Sequence, residues 1–389
     1  MAEDTAYPYP PRETGDLSRR HLRLGEGRIS GYISSGLGIL NLLGMLAFKF
    51  PTWFTTADLR AVYDVDVLRV VLQVCLVASL AFGTFTFVRG RRRRMGMIGI
   101  GCTLLAILIG GWAPEPGALK EGVEVGLGLD WLVLDLLGSA VVFITIEKML
   151  PRYPDQPILR PHWRLDLMFF TMNHLAIGVL LLVGNYFAPH VFYWAINGTL
   201  QAWVRSIPVW GQFAMLVFFA DLAQYWIHRA FHEIPWLWPF HAVHHSTEYM
   251  DWLAGSRTHF VQVLVDRTLV MVPLYLLGAD AAALNAYVIF AGFHDVYIHA
   301  NTGMHFGWLR YLIATPQYHH WHHSSERPAI DTNYAVHLPV LDMVFGTYHL
   351  PVGKWPAKYG TVSPIPMTFT EQLAYPFLPP PPPPPVEKP

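Results

Sequence analysis

His228-Arg-Ala-Phe-His232, His241-Ala-Val-His244-His245 and His319-His320-Trp321-His322-His323 are the segments on which the reading of this chain turns. Their spacings are HxxxH, HxxHH and HxxHH. Side chains three and four residues apart share one face of a helix. The spacing therefore predicts three helical faces. They carry His228 with His232, His241 with His244 and His245, and His319 with His322 and His323, while His320 points elsewhere. Eight imidazoles on three faces suit more than one metal ion. A single HxxxH is weak evidence, but here three such groups are drawn from only 19 histidines in the whole chain. Without metal, each buried ring would need a hydrogen-bond partner, and protonated rings would repel one another.

Imidazole suits zinc, copper, iron and nickel. A catalytic zinc needs only three protein ligands and an open position. The HExxH pattern of zinc proteases is absent, because Arg229, Ala230 and Phe231 fill the interval. A histidine-held pair of irons that activates O2 fits the ligand supply better. Such chemistry is needed where the substrate offers an inert C–H bond.

The rest of the chain points to a lipid environment. Of its 389 residues 53% are hydrophobic and only 14% charged, and the mean hydropathy is +0.30. Soluble domains carry about 25% charged residues. A net charge of -1 gives no support to nucleic-acid binding. Cys75 and Cys102 fall in apolar runs and read as small hydrophobes with no disulfide framework. The polar first thirty residues lack the apolar core of a signal peptide.

Apolar runs of spanning length are expected at residues 31–50, 70–88, 97–112, 131–150, 167–187 and 208–227. Two more, 260–277 and 281–298, read as a tight helical hairpin broken at Gly278, Ala279 and Asp280. Asp266 and Arg267 lie inside its first arm, which predicts that this arm packs against protein. Four regions follow: a polar arm over 1–29, membrane helices over 30–130, a catalytic region over 131–350, and a loop with a proline-rich tail over 351–389. The expected architecture is an all-α, polytopic membrane bundle with a histidine-rich cap holding two metals. Arg89, Arg91, Arg92, Arg93 and Arg94 follow the second run, and Lys148, Arg152, Arg160 and Arg164 follow the fourth. Alternate loops are poor in basic residues, so the positive-inside rule puts the histidine end on the cytoplasmic side. Trp236, Trp238 and Trp252 read either as interfacial anchors or as core aromatics. No GxGxxG after a strand and no P-loop is present, so reducing electrons must come from a partner.

Asp221 to His232, His241 to Glu248, His319 to His323, Asn333-Tyr334 and Asp342 to Thr347 together resemble the sterol desaturase / fatty acid hydroxylase superfamily. The resemblance covers roughly residues 130–350. It is nearest to bacterial sterol-desaturase-type proteins and looser to alkylglycerol monooxygenase. It implies an integral-membrane, non-haem diiron oxygenase acting on lipid C–H or C=C positions with O2. The implied ligands are His228, His232, His241, His244, His245, His319, His322 and His323, with His299 as an additional one. His259 and His294 are outside candidates. Asp221, Tyr225, Glu248 and Asn333 are candidates for groups that orient the rings. Ala335 stands where the family commonly has glycine. A b-type cytochrome, ferredoxin or reductase fed by NAD(P)H is the expected donor. The competing readings are a carotenoid hydroxylase or ketolase, a zinc-dependent membrane hydrolase, and a metal transporter or sensor.

Overall fold

The computed structural model describes residue 8 and residues 28–51, 64–89, 93–110, 129–175 and 186–379. Most of the expected arm over 1–29 and the proline run from 380 onward lie outside the described residues. Among the described residues the regular structure is helical, and pairing between extended segments is limited to isolated bridges.

Helices α1 (Arg28–Lys49), α2 (Val65–Arg89) and α3 (Arg93–Gly110) pack on one another. Their seam is small and hydroxylated. Ser34 Oγ donates to Ser79 O and Ser79 Oγ to Ser34 O, each at 2.8 Å. A Cβ on Gly38 would stand 2.6 Å from Gly99 O, so only glycine permits this approach of α1 to α3. Helix α4 (Leu129–Met149) packs on α1 and ends at the half that bears the histidine motifs. There Glu147 accepts from the backbone N–H groups of Trp252 and Asn301 at 2.7 and 2.9 Å. Helix α5 (Trp163–Leu175) follows.

The site is carried by α6 (Gly198–Ser206), α7 (Val209–Glu233), α8 (Trp238–His245), α9 (Phe260–Leu277), α10 (Ala281–His299) and α11 (Pro316–His322). Helix α7 buries one stripe, including Val217, Asp221, Tyr225, His228 and Phe231, at the three- and four-residue spacing of a single helix face. Helices α9 and α10 form the expected hairpin. Gly278 closes α9 in the left-handed conformation, with φ of 58°. Gln212 fastens the closed end by exchanging 2.8 Å hydrogen bonds with the carboxylate and the N–H of Asp280. From Gln212 to His228 α7 rises about 24 Å, so the open ends of the hairpin, at His259 and His299, lie level with His228. Short helices α12 (Val340–Phe345) and α13 (Phe369–Ala374) complete the cap.

The chain has five helices long and apolar enough to cross a membrane among the described residues, fewer than the eight apolar runs. They are Ser30–Lys49, Asp66–Arg89, Arg93–Gly110, Phe260–Leu277 and Ala281–His299. Helix α4 is diluted by Asp135, Glu147 and Lys148, and α7 by Gln212, Asp221 and Gln224 on its packed side. The run at 167–187 is helical over Trp163–Leu175, about 20 Å by rise, and residues 176–185 lie outside the described residues. Arg93 and Arg94 belong to the first turn of α3 rather than to a loop. Trp236 is exposed, whereas Trp252 is a core residue beside Phe143 and Phe170.

The segment after residue 350, expected to be loop and tail, packs onto the cap as far as residue 378. Ser325 N–H donates to Lys358 O at 3.2 Å, and Gln372 Nε2 donates to Ser246 Oγ at 3.0 Å. Tyr153 and Tyr359 meet hydroxyl to hydroxyl at 3.3 Å.

Candidate metal centre

The histidine motifs converge, but not face by face. His228, His232, His241, His245 and His322 form one group, and His244, His299, His319 and His323 the other; within each, the ligand atoms lie within 4.8 Å of one another. The pairs that stay together are four apart: His228 with His232, His241 with His245, His319 with His323. Neighbours in the chain part company, because successive helical side chains diverge by about 100°. His244 leaves the group of His245, and His322 leaves that of His323. The groups touch: the rings of His245 and His323 stack with centroids 4.6 Å apart.

The hydrogen bonds decide what this cluster is for. His228 Nδ1 meets Tyr334 O at 2.7 Å and His322 Nδ1 meets Thr332 O at 2.8 Å. His299 Nδ1 meets Asp295 O at 2.7 Å and His244 Nδ1 meets Arg257 O at 3.2 Å. His232 Nδ1 meets Asp331 Oδ1 at 3.2 Å. His241 Nδ1 meets Gln262 Oε1 at 3.0 Å, and Gln262 Nε2 donates onward to Asp266 Oδ2, which fixes the amide orientation. Carbonyl and carboxylate oxygens only accept, so in these six rings Nδ1 carries the proton and Nε2 presents a bare lone pair.

Those lone pairs face one another. His228 and His241 Nε2 are 2.9 Å apart, and His299 and His244 Nε2 are 3.2 Å apart. His299 Nε2 also lies 2.9 Å from that of His319. Two acceptors at such distances repel unless a cation lies between them. Two nitrogens bound at right angles, each about 2.1 Å from one ion, are about 3 Å apart. The donor set therefore fits two metal ions. Burial, and then the neighbouring imidazoles, hold His232, His241, His245, His319 and His323 well below the usual histidine range. Neutral rings are what metal ligation requires.

The candidate orienting residues act through the loop, not by touching the rings. Asp221 accepts the N–H groups of Val336, His337 and Leu338 at 2.9, 3.0 and 2.6 Å. Asp342 accepts those of Tyr334 and Ala335 at 2.7 and 2.9 Å. Asn333, at a positive φ of 60°, donates to Tyr318 O and His349 O. Tyr225 hydroxyl meets Thr347 Oγ1 at 2.9 Å, which in turn donates to Asp342. These clamps set the carbonyls of Thr332 and Tyr334 against His322 and His228. Glu248 is exposed and belongs to neither group. His259 caps α9, and His294 pairs with His337, so neither joins the cluster.

Several contributors were not read in these roles from the sequence, and Arg160, expected as a loop charge, is buried in an ion network. Arg257 offers its carbonyl to His244 while its guanidinium is buried against Asp166 at 2.6 Å. Arg160 joins Asp166 to Asp251, giving a four-member buried ion network behind α8. His320, directed away from both groups, meets His299 O at 3.3 Å and Tyr359 hydroxyl at 3.0 Å. Its downward shift, to about 3, comes chiefly from burial. Gly255 lies against the ring of His299, where a Cβ would come within 2.7 Å of Nδ1.

Among the described residues, cavities reach the cluster from two sides. One, of about 170 Å³, lies among α7, α9 and α10 and is walled by His228, His241, His244, His299 and His319. The other, of about 320 Å³, reaches His232, His245 and His322 from beneath the segment after residue 359.

Residues 213–347 match the model of the fatty acid hydroxylase family. The chain carries a domain similar to the fatty acid hydroxylase family. This domain holds all nine clustered histidines and is narrower than the 130–350 span of the sterol desaturase / fatty acid hydroxylase resemblance. The chain is similar to ornithine lipid hydroxylase OlsE of Rhizobium tropici, 33% identical over 175 residues, which is 45% of this chain and 53% of that protein. It is similar to alkylglycerol monooxygenase of Danio rerio, 33% identical over 162 residues, 41% of this chain and 35% of that protein. A very-long-chain aldehyde decarbonylase of Oryza sativa subsp. indica is 28% identical over 253 residues, 59% of this chain and 38% of that protein. The matches thus span about half or less of these relatives' lengths. No solved structure matches the chain.

Proposed function

We propose that the chain is a membrane-embedded, non-haem diiron oxygenase that uses O2 and externally supplied electrons to hydroxylate or desaturate a lipid. The observation that carries this reading is the convergence of bare Nε2 lone pairs in two all-histidine groups. His228, His232, His241, His245 and His322 would hold one iron, and His244, His299, His319 and His323 the other. Bound there, iron supplies the oxidising power toward O2 and an inert C–H bond that no side chain possesses. Hydroxylation consumes R–H, O2, two electrons and two protons and yields R–OH and water. The relatives' names, a lipid hydroxylase and a monooxygenase of alkylglycerols, support a lipid substrate.

The protein's part is placement and exclusion. Carbonyls of Thr332, Tyr334, Arg257 and Asp295 hold His322, His228, His244 and His299 in the tautomer that aims Nε2 inward. Burial keeps bulk water from the cluster. The cavity among the membrane-type helices admits the lipid, and the cavity under the C-terminal segment faces the electron donor. That donor is a separate b-type cytochrome, ferredoxin or reductase drawing on NAD(P)H. The metal end lies on the cytoplasmic side, supported by Arg89, Arg93, Arg94, Lys148 and Arg152. Residues 131–350 act as the catalytic region, and the three preceding helices as a membrane unit beside it.

Metal analysis tests the reading. Protein made with ample iron should hold about two irons per chain. His244→Ala and His322→Ala draw on different groups, so each should lose about one iron together with lipid oxidation. Full activity in zinc-loaded, iron-free protein would return the site to a hydrolase.

A further inference from the structure

Charge within membrane-type helices is costly and marks function when it faces a cavity. Helices α9 and α10 carry Asp266, Arg267 and Asp295 within about two turns of their metal ends. All three line the 170 Å³ cavity that the histidines also wall. Asp266 Oδ2 accepts from Gln262 Nε2 at 3.2 Å, while Oδ1 is buried outside hydrogen-bond geometry, with the Gln224 amide as a nearby side-chain donor. Neither Asp266 nor Asp295 forms an ion pair among the described residues. A desolvated carboxylate oxygen is unfavourable until a donor reaches it. Gln262 meanwhile joins this carboxylate to His241, so whatever Asp266 grips is held next to the metal cluster.

Resting on the oxygenase reading, we propose that this cavity recognises its lipid through an N–H or O–H group, with Asp266 as the acceptor. The carbon presented for oxidation then lies beside a polar group, not in the middle of an acyl chain. Val263, Val270 and Ala291 line the same cavity and guide the hydrocarbon tail outward between the helices. Amine-bearing and hydroxyl-bearing lipids share the required donor.

Equilibrium binding of four probes of equal chain length to iron-loaded protein in nanodiscs, without electron donor, tests this. The probes are hexadecylamine, hexadecanol, methyl hexadecyl ether and hexadecane, read by native mass spectrometry. At least one donor probe should bind about tenfold or more tighter than the ether and the alkane, the span of one charge-assisted hydrogen bond. A lead for the amine or for the alcohol tells which donor is native. Asp266→Leu should abolish the preference, and Asp266→Asn should reduce it most for the amine, with probe binding expressed per iron-loaded chain so that any loosening of His241 through Gln262 is read separately. Equal binding of all four probes, or a preference that survives Asp266→Leu, overturns the proposal. Should Asp266→Leu fail to fold, Asp266→Asn decides: an amine preference equal to wild type overturns it. No turnover is involved, so a failed recognition test is separable from a protein that binds these lipids but oxidises nothing.

Discussion

Replacing Gly255 with alanine should cost the protein one metal ion and spare the other. The added Cβ would stand 2.7 Å from His299 Nδ1 and 3.0 Å from its Cγ. Ordinary contact begins near 3.4 Å, so the ring must retreat by roughly 0.7 Å. It has nowhere to go. Nδ1 is tied to Asp295 O at 2.7 Å, and Nε2 lies 2.9 Å from that of His319 and 3.2 Å from that of His244. Imidazole is rigid, so a shift at one edge carries to the other, and a metal–ligand distance tolerates only about 0.2 Å. Loss of such support typically weakens metal binding about 10- to 100-fold, and overpacking costs about 1–3 kcal/mol of stability. The five-histidine group does not include His299. Chelator titration with metal analysis should therefore find one ion per chain held as in wild type and one released early. Gly292→Ala is the control, since a Cβ there meets nothing within 4 Å. Two ions held with wild-type affinity in Gly255→Ala, or equal loss of both, would refute the reasoning.

Asp221→Ala strips the acceptor from three backbone N–H groups; it should destabilise the protein by on the order of 3 kcal/mol and weaken metal binding at the group that contains His228, and an unchanged unfolding midpoint in detergent would contradict this. In metal-free protein the buried histidines lie well below their unfolded value of about 6.5. The unfolded chain therefore takes up protons first as pH falls. Stability present above about pH 6.5 should fall by about 1.4 kcal/mol per pH unit for each such histidine, and a thermal midpoint flat from pH 7 to 5 would exclude that account. Single cysteines placed at Ser325 and Gly117 should label from opposite sides of intact membranes, with Ser325 on the cytoplasmic side; labelling of both from outside reverses the orientation.

The helical faces and the hairpin were legible because their signals are local. HxxxH and HxxHH state which residues rise one turn apart, and Gly278 with Asp280 marks where one apolar run ends and the next begins. The hairpin delivers His299 to the histidine end, but only the family resemblance made it a ligand, since it stands without a second histidine at helical spacing within 295–301. What could not be read is chemistry done by backbone. The carbonyls of Thr332, Tyr334, Arg257 and Asp295 set four tautomers, yet a carbonyl leaves no mark on residue identity. Asp221 and Asp342 were visible as polar residues in suggestive places, but their acceptors' work falls on N–H groups of residues 334–338, more than a hundred positions beyond Asp221. The segment after residue 350 looked like tail because its contacts, such as Gln372 with Ser246, are also long-range.

The doubled histidines show how local pattern and tertiary placement divide the task. One imidazole per turn on α8 and α11 would build a single group, since residues four apart point the same way. The adjacent pairs, His244-His245 and His322-His323, place one ring on each side of the same helix. Each of these helices therefore reaches both groups, and the two clusters share one rigid frame. His228 and His232 have no such neighbour, so α7 serves only the five-histidine group. The four-histidine group then lacks a contribution from α7, and His299, arriving at the end of α10, supplies it. That makes His299 the one ligand on which only the second group depends for its tie to the membrane hairpin. This is why a methyl group on Gly255, remote from every histidine motif in sequence, should separate the two metals.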